Sequence, residues 1–201
     1  MKVKICGITN LDDALCAVQN GRDAIGFVFH KPSPRYIEPQ KAKQIIQKLP
    51  IWLQKVGLFT THSVDKINHI ATTCKLSLVQ MHTHTEANLL EQIHAPVMQT
   101  IRVKSKDDLA NLEDKYYLVD AYVEEFGGQG VRINTSYFEG IDCSKLILAG
   151  GLDAQNISQI AQYGFYGVDV SSGVEKSRGV KSQEKIKKFI EVAKSLSQAN
   201  A

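Results

Sequence analysis

The chain has 201 residues, 43% of them hydrophobic and 22% charged, with a formal net charge of +3. That length suits one domain with a substantial core and is short for two, and the composition excludes a disordered chain. It carries no Lys/Arg run of the length seen in nucleic-acid patches and no segment near the ~20 apolar residues of a bilayer span, so neither nucleic acid nor membrane is expected as a partner.

The opening MKVKICGITN has only a very short apolar run before Gly7, unlike a signal peptide. Cys6, Cys16, Cys74 and Cys143 lie far apart with no paired spacing, which argues against a disulfide framework or a zinc knuckle. Reduced thiols and a cytoplasmic setting are the expectation.

Strand and helix patterns alternate along the chain. An apolar, β-branched run at Val3–Cys6 precedes a helical pattern at Asp12–Gln19, acidic in its first turn and closed by Gly21. A second run, Ala24–Phe29, leads to Gln40–Leu49, where Ala42, Ile45, Ile46 and Leu49 share a face and Pro50 ends the pattern. Lys55–Phe59 precedes a helix at Val64–Cys74, and Leu76–Gln80 precedes one at Glu86–Ile93. Val97–Ile101 and Tyr116–Asp120 are the fifth and sixth runs, and Val131–Asp142 has room only for a loop and a short helical turn. Lys145–Ala149 is followed by a helix at Asn156–Tyr163, ending before Gly164. Gly167–Val170 is followed by the longest helix, with Ile186, Phe189, Ile190 and Ala193 along one side.

Strand then helix, repeated about eight times, predicts parallel strands joined by crossover helices. No Rossmann fingerprint is present, and the recurrence favours closure into an α/β (β/α)₈ TIM barrel, a single compact domain over residues 1–201. The active site of such a barrel lies at the C-terminal ends of its strands.

Those ends carry chemistry. Gly150-Gly151 follows the seventh strand and Ser171-Ser172-Gly173 the eighth, and glycine-rich turns there let backbone N–H groups approach a phosphate. Each glycine alone reads as a tight turn; their joint placement points to a phosphorylated substrate. Cys6 on its own is a packing residue and Asp120 a loop cap, but barrel closure brings both to one mouth, where a thiolate and a protonated carboxyl form a base/acid pair. That pair requires a thiol pKa lowered by nearby positive charge and a carboxyl pKa raised by desolvation. Lys4 shares a strand face with Cys6, and Asp169 lies on the strand that closes against it, so the two are expected to pair inside the barrel.

Taken together the strand ends resemble the phosphoribosylanthranilate isomerase family. The chain has Lys4-Ile5-Cys6-Gly7-Ile8-Thr9, Gly26-Phe27-Val28-Phe29 followed by Ser33-Pro34-Arg35-Tyr36-Ile37, and Val56-Gly57-Leu58-Phe59. It continues with Val79-Gln80-Met81-His82, Asp120 ahead of Gly127-Gly128-Gln129-Gly130, Leu148-Ala149-Gly150-Gly151-Leu152, and Val168 through Glu175. The motifs run in order from residue 2 to about residue 182.

The resemblance implies an Amadori rearrangement of N-(5'-phosphoribosyl)anthranilate to a ketose, without metal or organic cofactor. It makes Asp120 the general acid that opens the ribose ring and Cys6 the general base that takes the C2' proton. Arg35 would face the anthranilate carboxylate, His82 would position the substrate, and Gly150, Gly151, Ser172 and Gly173 would hold the phosphate. Four positions depart from the family pattern: Thr83 and Gln129 replace glycine and threonine, and Arg178 and Ser182 replace proline and aspartate.

Three rival readings are another phosphosugar enzyme on the same barrel, a metal-dependent hydrolase built on His82 and His84, and a binding scaffold. The Cys6/Asp120 pair counts against the first and the last, and the lack of further matching ligands against the second. A monomer and a homodimer both fit the sequence.

Overall fold

In the computed structural model, which describes residues 1–122 and 132–198, eight parallel strands close into a barrel in sequential order. They are β1 (Lys2–Ile5), β2 (Ala24–Val28), β3 (Gln54–Phe59), β4 (Leu78–Met81), β5 (Val97–Val103), β6 (Tyr117–Ala121), β7 (Leu146–Leu148) and β8 (Gly167–Val170). Closure is made between the first and last strands, with Lys2 opposite Gly167, Lys4 opposite Asp169 and Ile5 opposite Val170. Because side chains alternate along a strand, Lys4 and Cys6, Gln80 and His82, Leu118 and Asp120, and Asp169 and Ser171 all turn inward.

The α-helices are α1 (Leu11–Gln19), α2 (Pro39–Ile46), α3 (Val64–Cys74), α4 (Ala87–Leu90) and α5 (Gln183–Gln198). The Asn10 side chain caps α1 by accepting from the Asp13 N–H at 2.9 Å, and Asp12 and Asp13 in the first turn complement its dipole. Pro39 opens α2 with its pre-set φ. The Ser182 hydroxyl accepts from the Lys185 N–H ahead of α5, as expected of a cap there. Ile186, Phe189, Ile190 and Ala193 of α5 are buried against the barrel, each large one worth about 1.5–3 kcal/mol relative to exposure.

Two helical expectations are revised and one helical turn is added. The segment Glu86–Ile93 forms only the single turn α4, with no buried side chain to extend it. Ile157–Tyr163 is a 3-10 helix, in which Ile157 and Ile160 bury at the three-residue period of that helix. Local bonding tightens its entry, because the Asp153 carboxylate accepts from the N–H groups of Gln155 and Asn156. Lys106–Leu109 adds a 3-10 turn that the sequence pattern did not suggest, held by a capping box between Ser105 and Asp108. Thr135–Phe138 supplies the short turn anticipated before the seventh strand.

Beyond the barrel, β9 (Glu175–Ser177) and β10 (Val180–Lys181) form a small antiparallel hairpin after β8. Its turn residue Gly179 has φ +81° and lies so close to Pro34 that a Cβ would sit 2.6 Å from the Pro34 carbonyl oxygen. The hairpin is therefore clamped onto the loop that carries Arg35. Among the described residues no helix is long and apolar enough to cross a membrane.

Candidate active site at the barrel mouth

A cavity opens at the C-terminal ends of the strands. Cys6, Arg35, His82 and Asp120 line it, and so do Gly150, Gly151 and Ser172. Gly173 stands behind the wall, where an added Cβ would fall 1.9 Å from the Leu152 carbonyl oxygen. It serves as the contact point at which the turns after β7 and β8 touch, and no side chain fits there. Gly150 and Gly151 both have positive φ, +87° and +62°, a conformation that turns successive N–H groups to one side.

Cys6 follows β1 directly and is 4% exposed. Its N–H donates to the Val170 carbonyl at 2.9 Å and its carbonyl accepts from the Ser171 hydroxyl at 3.1 Å, so β8 fixes it on both sides. Gly26 on β2 makes room for the sulfur: a Cβ at Gly26 would lie 2.7 Å from Sγ. Burial pushes the Cys6 thiol up from its ordinary value, and the nearby Lys4 ammonium, which works the other way, does not reverse it. The direction is opposite to the lowered thiol expected from sequence, because closure that supplies the cation also removes water.

Below Cys6, the expected pair is present. Lys4 Nζ donates to Asp169 Oδ2 at 2.8 Å and to Gln80 Oε1 at 2.9 Å, and Gln80 passes the chain on to the Thr100 hydroxyl at 3.2 Å. Burial penalises the ammonium, yet the Asp169 carboxylate leaves its pKa raised. Asp120, at the end of β6, accepts from the Ala121 N–H at 2.8 Å. Desolvation, aided by the Asp169 charge, pushes its carboxyl up to about 6. Gly150 packs against that carboxyl, since a Cβ there would come within 2.8 Å of Oδ1.

Arg35 lines the cavity with two donors already engaged. Nε donates to Glu175 Oε1 at 2.7 Å and Nη2 to Glu175 Oε2 at 2.8 Å, the fork geometry that suits guanidinium and carboxylate. Lys181, 3% exposed, donates to the same Glu175 Oε1 at 3.0 Å and to the Ser171 carbonyl at 2.9 Å. Burial alone would raise the Glu175 carboxyl; Arg35 and Lys181 instead hold it down at about 2. Sequence reading missed Lys181 and the bracing role of Glu175, because the hairpin that joins them is short and polar. Its one local signal was the Arg178-Gly179 turn. Arg178, at that turn, is exposed and reaches the rim of the cavity.

His82 is mostly buried, its N–H bonded to the Phe59 carbonyl at 2.9 Å, and its Nδ1 has no hydrogen-bond partner among the described residues. Burial, with Arg102 and Lys4 nearby, lowers its pKa to about 4, so the ring is neutral at pH 7. Thr83, one of the departures, donates to the Thr60 carbonyl at 3.4 Å and ties the His82 loop to the end of β3. His84 is exposed, and among the described residues no third metal-ligating side chain joins it and His82. Gly127-Gly128-Gln129-Gly130 lies outside the described residues.

The family model for N-(5'-phosphoribosyl)anthranilate (PRA) isomerase matches residues 3–192. The chain belongs to the PRA isomerase family. An N-(5'-phosphoribosyl)anthranilate isomerase of Nitratiruptor sp. is 51% identical over 194 residues, spanning 96% of this chain and 99% of the relative. A solved PRA isomerase in complex with reduced 1-(o-carboxyphenylamino)-1-deoxyribulose 5-phosphate is 36% identical, with TM-score 0.84 over 97% of this chain and 99% of that one. A structure of mutually generated monomers of the dimeric PRA isomerase from Thermotoga maritima gives 36% identity and TM-score 0.82, covering 96% and 98%. PRA isomerase membership accounts for the barrel, the glycine turns and the order of the strand-end motifs in one step.

The raised Asp120 carboxyl carries a stability consequence. Its folded pKa lies near 6 and an unfolded aspartate near 3.9, so the folded protein holds the extra proton between those values; stability falls as pH rises from about 4 to about 6 and stays at the lower level above that. Asp120→Asn is expected to raise stability at pH 7.5 by on the order of 1–3 kcal/mol and to change it little at pH 4. Urea unfolding at the two pH values checks this; equal effects at both would contradict the buried, proton-retaining carboxyl.

Proposed function

We propose that the chain carries out its family's isomerisation of N-(5'-phosphoribosyl)anthranilate, with Asp120 as general acid and Cys6 as general base. The observation that carries the reading is the shared cavity: the two groups line it together with the glycine turns after β7 and β8. The relative bound to the reduced product compound supports a phosphoribosyl ligand in the equivalent barrel.

In this scheme the protonated Asp120 carboxyl donates to the furanose ring oxygen, the C1'–oxygen bond breaks, and the anthranilate nitrogen's electron pair forms the Schiff base. The Cys6 thiolate then takes the C2' proton, its electron pair giving the enolamine. Tautomerisation moves the hydroxyl proton off the enol and a proton onto C1', leaving the ketone. The N–H groups of Gly150, Gly151, Ser172 and Gly173 receive the phosphate, and the second Nη of Arg35, outside the Glu175 pair, meets the anthranilate carboxylate. His82, neutral, contacts the substrate as a positioning group. A cytoplasmic setting fits four cysteines that are all free.

The reactive form requires Asp120 protonated and Cys6 ionised, although the acid titrates near 6 and the thiol is held above its ordinary value. Below about pH 6 the ionised thiol fraction rises tenfold per pH unit; above it, loss of the Asp120 proton cancels that gain. The kcat/KM of the wild type, followed by the fluorescence decay of freshly generated substrate, should therefore climb to about pH 6, level off, and fall only past the ordinary thiol value of about 8.5. Asp120→Asn should remove the break near 6, and Cys6→Ala and Asp120→Asn should each cost roughly 10²–10⁴-fold. Wild-type protein that binds the substrate without consuming it would leave a scaffold; no effect of Cys6→Ala would remove the proposed base.

The proposed assembly is a homodimer formed through the opposite end of the barrel. Ile51 and Trp52, just before β3, are 84% and 96% exposed, and Tyr116 and Tyr166, just before β6 and β8, are 47% and 38% exposed. All precede strands and so sit on the N-terminal face, around a wide hollow that Trp52, Tyr116 and Tyr166 line together. A projecting apolar residue beside an apolar hollow on one face is self-complementary under a two-fold axis. Light scattering should give twice the 22.3 kDa chain mass for wild type and the chain mass for Trp52→Glu; a monomeric wild type contradicts the dimer.

A further inference from the structure

The floor of the cavity holds a carboxylate whose second oxygen the mechanism leaves unused. Asp169 is 9% exposed and lines the cavity alongside Cys6 and Asp120. Its Oδ2 accepts from Lys4 at 2.8 Å, while its Oδ1 has no hydrogen-bond partner among the described residues. A buried carboxylate oxygen without a donor is costly, and such an oxygen in a cavity wall is a recognition element for a donor that arrives with the ligand.

The neighbours narrow which donor. Asp169 stands opposite Lys4 in the β1–β8 register, and Cys6 is the next inward-facing residue after Lys4. The same Lys4 ammonium acts on both the Asp169 carboxylate and the Cys6 sulfur, and Asp169 in turn acts on Cys6. An acceptor that shares a cation with the base lies beside the carbon on which the base works. The substrate's donors are its sugar hydroxyls and the anthranilate N–H, and that N–H faces its own ortho carboxylate across a six-membered ring, which leaves the sugar hydroxyls for Asp169.

Resting on the isomerase reading, we infer that Asp169 Oδ1 accepts a hydrogen bond from the substrate hydroxyl on C2', the carbon whose proton Cys6 removes. Lys4 fixes the other carboxylate oxygen, so the acceptor cannot swing away, and the hydroxyl in turn orients the C2'–H bond toward the sulfur. A site built around a hydroxyl rejects the analogue that lacks it, because its acceptor is then left buried and unpaired. Asp169 is a binding residue in this account and takes up no proton.

The test is calorimetric binding of two stable compounds to the full chain: reduced 1-(o-carboxyphenylamino)-1-deoxyribulose 5-phosphate and its counterpart without the C2' hydroxyl. Wild type should bind the hydroxylated compound about 10–100-fold more tightly, the range of a hydrogen bond to a charged group. Asp169→Asn should bind the two within about threefold of each other and should bind the deoxy compound about as wild type does. Equal wild-type affinities overturn the inference without any variant and leave the isomerase reading standing. A preference undiminished in Asp169→Asn, or an equal loss for both compounds, also overturns it, the latter assigning Asp169 to support alone. Wild type that binds neither compound overturns the isomerase reading itself.

Discussion

One ion pair joins the closure of this barrel to its chemistry. Lys4 on β1 and Asp169 on β8 face each other across the seam where the sheet meets itself, and both are almost wholly buried. Two charges withdrawn from water are costly unless each finds its partner, and losing one of them leaves an uncompensated charge worth roughly 3–5 kcal/mol of destabilisation. The seam therefore specifies its own register: a slip of one residue would turn the slipped strand's member of the pair to the helical face of the sheet and leave the other unpaired. The same register sets Cys6 beside Ser171 and the turn after β8, so the closed barrel and the assembled mouth are one event.

Burial then decides the protonation states above the pair. The desolvation that keeps the Asp120 carboxyl protonated up to about pH 6 also holds the Cys6 thiol above its ordinary value. A drier mouth keeps the acid protonated to higher pH and suppresses the base's ionisation together, and Lys4 is the cation that works against the second effect. The rim repeats the pattern with Glu175 between Arg35 and Lys181. That carboxylate keeps the guanidinium in a fixed plane, and the β9–β10 hairpin that delivers Lys181 also clamps Pro34 through Gly179. Close backbone approach does the rest, at Gly26 for the sulfur, Gly150 for the Asp120 carboxyl and Gly173 for the contact between the two turns.

Much of this was legible in the chain. Short apolar runs rich in β-branched residues located all eight barrel strands, since a strand buried on both faces has little freedom in composition. Inward alternation from Lys4 and Asp169 was enough to anticipate their pairing. Short helices were read less well, because Glu86–Ile93 and Asn156–Tyr163 have the apolar spacing of helices but owe their actual form to local Asx bonding and to how little they bury. The bracing of Arg35 escaped because Glu175 and Lys181 are polar residues in a polar stretch, and only the folded hairpin makes them core. The thiol's direction escaped for a different reason: sequence names the cation near Cys6 but carries no measure of the water that leaves with it.

The balance between that cation and that lost water is open to direct titration. Thiolate absorbance at 240 nm, taken as the difference between wild type and Cys6→Ser, follows Cys6 alone among the four cysteines. The account predicts that Cys6 in the free protein ionises above the ordinary cysteine value and that Lys4→Met moves the transition higher still. Ionisation below the ordinary cysteine range, or a transition unmoved in Lys4→Met, would contradict it.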